Sequence, residues 1–264
     1  MLYVFVISNK IIFNNKDQIY FFDLPVGEST LIIKKFNQGN ILIDTGEKGS
    51  NDLITFLKKK GIKRIDLLII SHADSDHCGM LDEIVSNFNV KNIMLSKYDS
   101  KSMDIYNKFK NKCFFVERSN SFIYKNISFE VLWPYYQMNS SNDNSLVIKI
   151  TINNCSILMC GDIEKEAEEE LIKLEKDIYV DILKIAHHGS NTSTSDYFLN
   201  HVHFNSAVVM SGHNNTFGFP TKEIKNKLNN YQTYYTHELK TVILNFSYQN
   251  KKYYFTLLKL TYML

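Results

Sequence analysis

The hydrophobic positions of this 264-residue chain fall into short apolar runs separated by longer amphipathic segments. The short runs are rich in β-branched and aromatic residues and end in polar or turn-forming residues, which predicts β-strands. These runs are 18–24, 30–36, 40–44, 65–70, 128–133, 145–152, 156–160, 178–185 and 207–210. Apolar residues that return at spacings of three and four predict helices. This second pattern is found in 52–60, 80–88, 163–173 and 221–229. The alternation of strands and helices indicates an α/β fold.

Both ends of the chain also have strand patterns. Residues 1–8 are apolar but lack the basic start and the cleavage site of a signal peptide, so they are interpreted as a strand. Residues 241–246 and 253–258 predict a closing hairpin around 248–250. Only three prolines interrupt the chain, and it contains neither a Gly/Ser-rich linker nor a repeat. Residues 1–264 are therefore predicted to form one domain.

Composition and charge narrow the class of protein only a little. With 44% hydrophobic and 22% charged residues, the chain has the composition of an ordinary globular protein. A net charge of +2 neither requires nor excludes an anionic substrate. The four cysteines form no CxxC pair and are interpreted as free thiols, which favours a cytoplasmic location. No run approaches the ~18 to 20 apolar residues that span a bilayer, so no membrane association is expected.

A dense group of candidate metal ligands follows the run 65–70. His72, Asp74, Asp76 and His77 lie within six positions at a predicted strand-to-helix turn. Alternate residues of an extended segment share a side, and His77 can turn back toward the others. Taken singly, an aspartate here is explained by helix capping and a histidine by solvation. Together they indicate a cation, because packed like charges are otherwise costly. Imidazole and carboxylate suit one or two Zn, Fe or Mn ions.

Two further runs, 156–160 and 178–185, end in candidate ligands. Asp162 follows the first run, and the pair His187-His188 follows the second. Asp162 is alternatively a cap for the helix that comes next. Each segment would deliver its ligands at an edge of the sheet.

Polar residues close to these ligands are candidates for substrate contact. Lys184 either faces a cleft and pairs with a phosphate or lies on a solvated edge of its strand. Asn144, Ser145 and Ser190 either donate hydrogen bonds to substrate oxygens or form turns. The sequence leaves these alternatives open.

The candidate ligands belong to a series of motifs that extends from about residue 19 to about residue 236. The motifs are Phe22-Asp23-Leu24-Pro25-Val26-Gly27-Glu28, Ile43-Asp44-Thr45-Gly46, His72-Ala73-Asp74-Ser75-Asp76-His77, Asn142-Asp143-Asn144-Ser145, Gly161-Asp162, His187-His188-Gly189-Ser190 and Asn215-Thr216-Phe217-Gly218-Phe219-Pro220. In this order they resemble the metallo-β-lactamase superfamily. Within it they resemble the hydrolase domain of ComEC-type DNA-uptake proteins and its stand-alone relatives.

The resemblance implies a four-layer αββα sandwich, in which two mixed β-sheets are flanked by helices. It also implies one or two divalent ions, Zn or Mn, with Asp76 and Asp162 at the catalytic centre. One ion would be held by His72 and Asp74 and a second by Asp76 and His77, with Asp162 between them and His187 or His188 completing a site. Asp44 would support the ligands without a direct role, and Asn215 of the last motif would contact substrate.

The chain departs from the subgroup's pattern at a few positions. Phe219 stands where the subgroup usually has His, Met80 replaces a common Gly, and Pro25 and Glu28 alter the opening motif. The change at Phe219 bears on substrate contacts more than on metal binding.

The function that the resemblance implies is a metal-dependent phosphodiesterase or nuclease that acts on a phosphodiester or nucleic-acid substrate. The same fold also supports thioesterases and lactonases. A third interpretation is an inactive, metal-binding interaction module, which the substitution at Phe219 favours. Asp74, in place of the more usual His, argues against a typical β-lactamase.

Overall fold

The computed structural model describes residues 16–213, 215–249 and 252–259. The strand predicted at 1–8 lies outside the described residues. The strands, in chain order, are β1 (Gln18–Phe21), β2 (Thr30–Ile33), β3 (Asn40–Ile43), β4 (Arg64–Ile70), β5 (Asn89–Ser96), β6 (Cys113–Val116), β7 (Ser121–Tyr124), β8 (Ile127–Trp133), β9 (Val147–Ile152), β10 (Cys155–Met159), β11 (Ile178–Tyr179), β12 (Ile182–Lys184), β13 (Val202–His203), β14 (Ser206–Val209), β15 (Gln232–Tyr235), β16 (Val242–Gln249) and β17 (Lys252–Lys259). The α-helices are α1 (Asn51–Lys59), α2 (Ser75–Cys78), α3 (Leu81–Asn87), α4 (Ser102–Phe109), α5 (Lys165–Glu175), α6 (Asp196–His201), α7 (Lys222–Lys227) and α8 (Thr236–Leu239).

The strands form two large mixed sheets and one short pair. The first sheet has the order β17-β16-β1-β2-β3-β4-β5-β6, and the second has the order β15-β14-β12-β10-β9-β8-β7. In the first sheet β3 to β6 are parallel, and in the second β10, β12, β14 and β15 are parallel. The remaining neighbours within these sheets are antiparallel. The pair β11-β13 stands apart.

Alternating side chains divide each sheet into an inner and an outer face. In β4, Leu67 and Ile69 enter the core between the two sheets, while Leu68 and Ile70 pack outward beneath helices α1, α3 and α4. In the second sheet, Ile157 of β10 points inward and Leu158 packs outward with α5, α6 and α7. Both faces of each sheet are therefore covered, which makes these strands apolar throughout. The predicted αββα sandwich is confirmed.

The element predictions are largely confirmed, with some corrections. All four predicted helices form within two residues of their predicted starts, and the closing hairpin is the antiparallel pair β16-β17. The run 178–185 was expected to be one strand, but it breaks into β11 and β12, which belong to different sheets. Strands β5, β6, β7 and the two-residue β13 were not predicted. In β5 the first half carries exposed polar residues, which hides its apolar positions.

The carboxyl ends of the central strands meet at one edge of the sandwich. The segments that follow β3 and β4 in the first sheet face those that follow β10, β12 and β14 in the second. At this edge the backbone N–H of Leu146, in the second sheet's entry to β9, donates to the carbonyl of Ser71, which follows β4. Ligands bind preferentially beyond such strand ends in α/β folds. The predicted ligand motifs all lie in these segments.

At the opposite edge of the sandwich, Asp17 connects the two sheets through hydrogen bonds. Its carboxylate accepts hydrogen bonds from the Lys34 ammonium (2.5 Å), the Lys35 backbone N–H (2.7 Å) and the Asn153 amide (2.7 Å), which lies in the β9-β10 turn. Burial alone raises the pKa of Asp17, but these hydrogen bonds outweigh it and lower the pKa below its ordinary value. Asp17 therefore joins the two sheets at the edge away from the ligand motifs.

Among the described residues, no helix combines the length and apolar character that crossing a membrane requires.

Candidate metal centre

The first sheet contributes two buried imidazoles to the strand-end edge. His72 follows β4, and His77 lies in α2, with ring centroids 4.2 Å apart. His77 Nδ1 lies 2.9 Å from Asp44 Oδ2, and Asp44 also accepts hydrogen bonds from the backbone N–H and the hydroxyl of Ser71. A carboxylate on one imidazole nitrogen fixes the ring and leaves the other nitrogen available to a ligand. Asp44 therefore directs His77 Nε2 toward the interior of the site.

The second sheet supplies Asp162 and His188 to the same place. Asp162 Oδ2 lies 3.1 Å from His77 Nε2 and 3.5 Å from His188 Nε2. His188 Nε2 is also 3.2 Å from Asp76 Oδ2, while His188 Nδ1 lies 3.0 Å from the carbonyl of Met210. Side chains from both sheets thus converge across the cleft.

Glu28 also belongs to this cluster, and the sequence analysis missed it. Its carboxylate is 3% exposed, with Oε2 3.5 Å from His188 Nδ1 and Oε1 4.0 Å from His77 Nδ1. The loop that holds it packs tightly, because a Cβ on Gly27 would lie 1.9 Å from the carbonyl of Asp76. The only signal in the sequence was an acidic residue within the altered opening motif.

These side chains form two overlapping sets of candidate metal ligands. In each set one ligand atom per residue lies within 4.8 Å of the others. One set is Glu28, His77, Asp162 and His188, and the other is His72, Asp76 and His77. Within the described part of the chain, four buried atoms of these sets make no well-aligned hydrogen bond: Glu28 Oε2, His72 Nε2, His77 Nε2 and Asp162 Oδ1. Of these, His77 Nε2 faces Asp162 Oδ2 at 3.1 Å and Glu28 Oε2 faces His188 Nδ1 at 3.5 Å. Buried polar atoms are normally satisfied. The orphaned atoms and the imidazole and carboxylate donors therefore fit a divalent ion.

Asp74 takes a different place from the one expected. Its Oδ1 pairs with the Lys101 ammonium at 2.6 Å, and its Oδ2 lies 3.3 Å from the Ser141 hydroxyl and 3.9 Å from His72 Nε2. It is partly exposed and belongs to neither set of converging ligand atoms. The grouping of His72 with Asp74 as ligands of one ion remains a prediction.

The charge balance of the site favours a cation. Burial alone lowers the pKa of His77, but the carboxylates of Asp162 and Asp44 outweigh it and raise this pKa well above its ordinary value. Burial alone raises the pKa of Asp76, yet the hydrogen bond from His188 and the charge of His77 lower it to about 2. Burial and His77 together lower the pKa of His72 to about 4. The buried carboxylates are therefore stabilised by positive charge, which protons on the histidines or a metal ion can supply.

The structure distinguishes between the two adjacent histidines. His188 is buried and belongs to the converging set, whereas the His187 side chain is 20% exposed, with Nε2 3.9 Å from Asp162 Oδ2 and Nδ1 3.5 Å from a Glu164 carboxylate oxygen. Both residues have positive φ angles, 48° and 52°, in the turn after β12. Of the pair, His188 is therefore the candidate ligand whose ring lies within the converging set.

Lys184 occupies neither of the two positions considered from the sequence. Its side chain is fully buried, with the ammonium 2.5 Å from Glu28 Oε1 and 3.1 Å from the carbonyl of Gly161. Burial alone lowers the pKa of Lys184, but the charges of Glu28 and Asp162 outweigh it and raise this pKa. It is therefore not on a solvated edge, and its ammonium is already used inside the site.

The four predicted substrate-contact residues are engaged in holding loops. The Asn144 amide bonds to backbone groups of Met138 and Ser140, and the Ser145 hydroxyl accepts from the backbone N–H of Asp162. The Ser190 hydroxyl pairs with Thr192, and the Asn215 amide bonds to the backbone of Gly212 and Phe219. For Asn144, Ser145 and Ser190 the turn-forming alternative matches these contacts. Their contact with substrate remains a prediction.

A cavity of about 150 Å³ opens beside the cluster. Asp76, His187 and His188 line one part of it, and Phe217 and Phe219 of the last motif line another. Substrate that enters this cavity meets the ligand cluster and an aromatic surface together.

Comparison with known proteins places this architecture in a family. Residues 24–213 match the profile of the Metallo-beta-lactamase superfamily. ComE operon protein 3 of Bacillus subtilis (strain 168) is 30% identical over 235 residues, which covers 80% of this chain and 30% of that protein. Recombination protein 2 of Haemophilus influenzae is 31% identical over 224 residues, which covers 82% of this chain and 27% of that protein. Competence protein ComA of Neisseria gonorrhoeae is 27% identical over 208 residues, which covers 76% of this chain and 28% of that protein. The chain therefore spans less than a third of the length of these relatives.

Solved structures share the fold at low sequence identity. CmlA, a diiron beta-hydroxylase from Streptomyces venezuelae, has a TM-score of 0.57 at 11% identity, over 87% of this chain and 54% of that chain. Igni18, a metallo hydrolase from Ignicoccus hospitalis KIN4/I, has a TM-score of 0.52 at 14% identity, over 89% of this chain and 100% of that chain. These likenesses show the fold alone. Because the family profile extends over most of the sandwich and its ligand motifs, this chain belongs to the metallo-beta-lactamase superfamily.

Proposed function

We propose that the protein is a metal-dependent phosphodiesterase that cleaves nucleic-acid strands. The superfamily and the buried His, Asp and Glu cluster support a hydrolase that uses one or two divalent ions, with Zn and Mn suited to the donor set. The observation that carries the proposal is the group of buried, unpartnered ligand atoms beside an open cavity. The choice of nucleic acid is supported by similarity to proteins named for recombination and competence.

The residues of the chain have distinct roles in this proposal. Glu28, His77, Asp162 and His188 would hold one ion, and His72 and Asp76 would extend the site toward a second. A bound divalent ion lowers the pKa of its water and neutralises charge that develops on a phosphate.

The surrounding residues fix the ligands before any ion binds. Asp44 holds the His77 ring through Nδ1, and Lys184 holds one oxygen of Glu28, so that the second oxygen stays free for a ligand. Asp76 lines the cavity, so its carboxylate would hold an ion on the side of the site that meets substrate. The chemistry is hydrolysis without a covalent intermediate on the protein.

The test compares wild-type protein with two ligand variants. His77→Ala removes the imidazole that both ligand sets share, and Asp76→Asn neutralises a carboxylate that is 30% exposed, so it perturbs folding less. Bound metal and cleavage of bis-p-nitrophenyl phosphate and of labelled single- and double-stranded DNA are measured with Mn and Zn. His203→Ala, at an exposed imidazole outside the cluster, is the matched control.

The outcomes separate the candidate functions. We expect metal-dependent phosphodiester cleavage in the wild type and His203→Ala, and its loss in His77→Ala and Asp76→Asn, with circular dichroism showing that both variants remain folded at the assay temperature. Bound metal with hydrolysis of thioesters or lactones instead would assign the alternative enzyme class. Bound metal without hydrolysis of any of these substrates would leave a metal-binding interaction module.

A further inference from the structure

Three aromatic rings form a nearly parallel series that leads from the cluster of candidate ligands to solvent. The Phe219 ring lies 6.5 Å from the His188 ring with an interplanar angle of 19°. The Phe217 ring lies 5.8 Å from the Phe219 ring with an angle of 15°. His188 is a candidate ligand, whereas Phe217 is 65% exposed. The series therefore begins at the cluster and ends in an open aromatic face.

The loop that carries these rings is braced from both sides. The Asn215 amide donates to the carbonyl of Phe219 and accepts from its N–H, both at 2.9 Å. On the other side, a Cβ on Gly189 would lie 2.5 Å from Pro220 Cβ, so the loop packs directly on the turn that contains His188. These contacts fix the backbone at Phe219 and Pro220, and the Phe217 ring stacks on the Phe219 ring that this backbone carries.

An exposed phenylalanine on a braced loop at the mouth of a cavity favours a ligand with a flat aromatic face. A nucleobase can stack on the single face that an open ring supplies, and such a stack contributes about 1–3 kcal/mol to binding. An acyl chain gains most inside an enclosed apolar tunnel, because it must be surrounded to leave water. The 65% exposure of Phe217 therefore favours the flat ligand.

We propose that Phe217, backed by Phe219, is a base-stacking platform that binds an unpaired nucleobase near the scissile phosphate and makes single-stranded nucleic acid the preferred substrate. In a duplex both faces of each base are covered by its neighbours, whereas a single strand can present a free face. The platform contacts no base edge, so it selects strandedness and not sequence. This inference rests on the proposed function for its nucleic-acid substrate. It gives the two phenylalanine rings a role in binding that metal ligation alone does not require.

Binding is measured first, without catalysis. Fluorescence anisotropy of a labelled, cleavage-resistant phosphorothioate single strand is recorded with added Mn for wild type, Phe217→Ala and Phe217→Trp. Loss of one base-aromatic stack weakens binding roughly 5- to 150-fold, and Trp retains a stacking face. Tyr179→Ala is the matched control, because Tyr179 is also 65% exposed and also stacks on a neighbouring aromatic ring, the imidazole of His203, outside the cluster. We expect weaker binding in Phe217→Ala alone.

A second measurement identifies the base. An abasic residue is moved through the oligonucleotide one position at a time. In the wild type one position should weaken binding by the same factor as Phe217→Ala, and in Phe217→Ala that position should have no further effect. Such non-additivity is the signature of a direct contact. A fully paired duplex should be insensitive to the Phe217 substitutions.

The results distinguish this inference from the proposed function. If the wild type cleaves DNA and Phe217→Ala binds and cleaves single strands equally well, the platform is refuted and the phosphodiesterase stands. If binding depends on Phe217 and on one base but no phosphodiester is cleaved with either metal, the platform stands and the phosphodiesterase fails. If Phe217→Ala instead impairs hydrolysis of long-chain thioesters, the ligand is an acyl group and the inference is overturned.

Discussion

The buried pair Lys184–Glu28 offers the sharpest test of the site's electrostatics. Lys184→Met keeps an unbranched apolar stem and removes the ammonium, so little packing is lost. It leaves the Glu28 carboxylate, which is 3% exposed, without its cation and the carbonyl of Gly161 without its donor. The effect of this substitution is therefore the loss of a buried charge pair and of one buried hydrogen bond.

Its magnitude follows from the burial of both partners. Breaking a buried pair by removing one charge costs about 3–5 kcal/mol, because the other charge stays desolvated. Small domains have about 5–15 kcal/mol of folding free energy in all. The double variant Glu28→Gln/Lys184→Met has no buried charge left over, and it should recover most of the loss. Adding a divalent ion should also restore stability to Lys184→Met, because the ion can pair with Glu28.

The assay is urea unfolding followed by circular dichroism, in chelator and then with added Mn or Zn. Lys97→Met is the control, because Lys97 pairs with Glu117 at the same 2.5 Å but on the surface, with side chains 49% and 33% exposed. We expect its unfolding midpoint to equal that of the wild type. A loss below about 1 kcal/mol in Lys184→Met would mean that water reaches the pair, as at a surface salt bridge. A double variant no more stable than Lys184→Met would also refute the reasoning.

Other substitutions test the parts that position the site and the fold. Asp44→Asn should weaken metal affinity about 10- to 100-fold in a metal titration, because the charged partner of an imidazole ligand is lost; unchanged affinity would deny Asp44 that role. Gly27→Ala should lower the free energy of unfolding by at least about 1–2 kcal/mol, because its φ is +78° and the new Cβ would meet the Asp76 backbone. The control is Gly49→Ala, at φ +96° in open space, which should lose only the free energy of placing an alanine at a positive φ. Equal losses in these two glycine variants would contradict the close approach. Asp17 has a lowered pKa in the folded state, so its contribution to stability is present above the ordinary value of 3.8 and is lost as pH falls through the folded-state pKa. Asp17→Asn should therefore be less stable than wild type at neutral pH and should converge with it in acid, as urea unfolding at a series of pH values would show; a constant difference would refute this linkage.

The sequence was most informative where burial was complete. Strands such as β4 and β10 are buried on both faces, so they appear as continuous apolar runs whose ends mark the sheet edge. Because the ligand motifs follow those ends directly, the position of the site could be predicted along with the fold. Strand β7 alternates exposed and half-buried residues at the edge of its sheet, and its pattern was too weak to predict.

Contacts between distant segments could not be predicted in the same way. Glu28 reaches the cluster only because the loop after β1 packs on α2, and nothing in its own neighbours indicates a ligand. Lys184 has the spacing of an inward-facing residue, but a lysine on a strand is ordinarily solvated. Its burial depends on Glu28, more than 150 positions earlier in the chain. The orientation of His188 depends on backbone angles that two adjacent histidines do not reveal.

The cluster is divided between the two sheets, and this division has a mechanical consequence. Glu28 and His77 of the larger ligand set belong to the first layer, whereas Asp162 and His188 belong to the second, so neither layer holds that set alone. An ion bound here is a cross-link between the layers, and its binding free energy adds to the work needed to separate them. Metal removal should therefore accelerate amide exchange in the strands on both sides of the inner core, far beyond the loops that touch the ion.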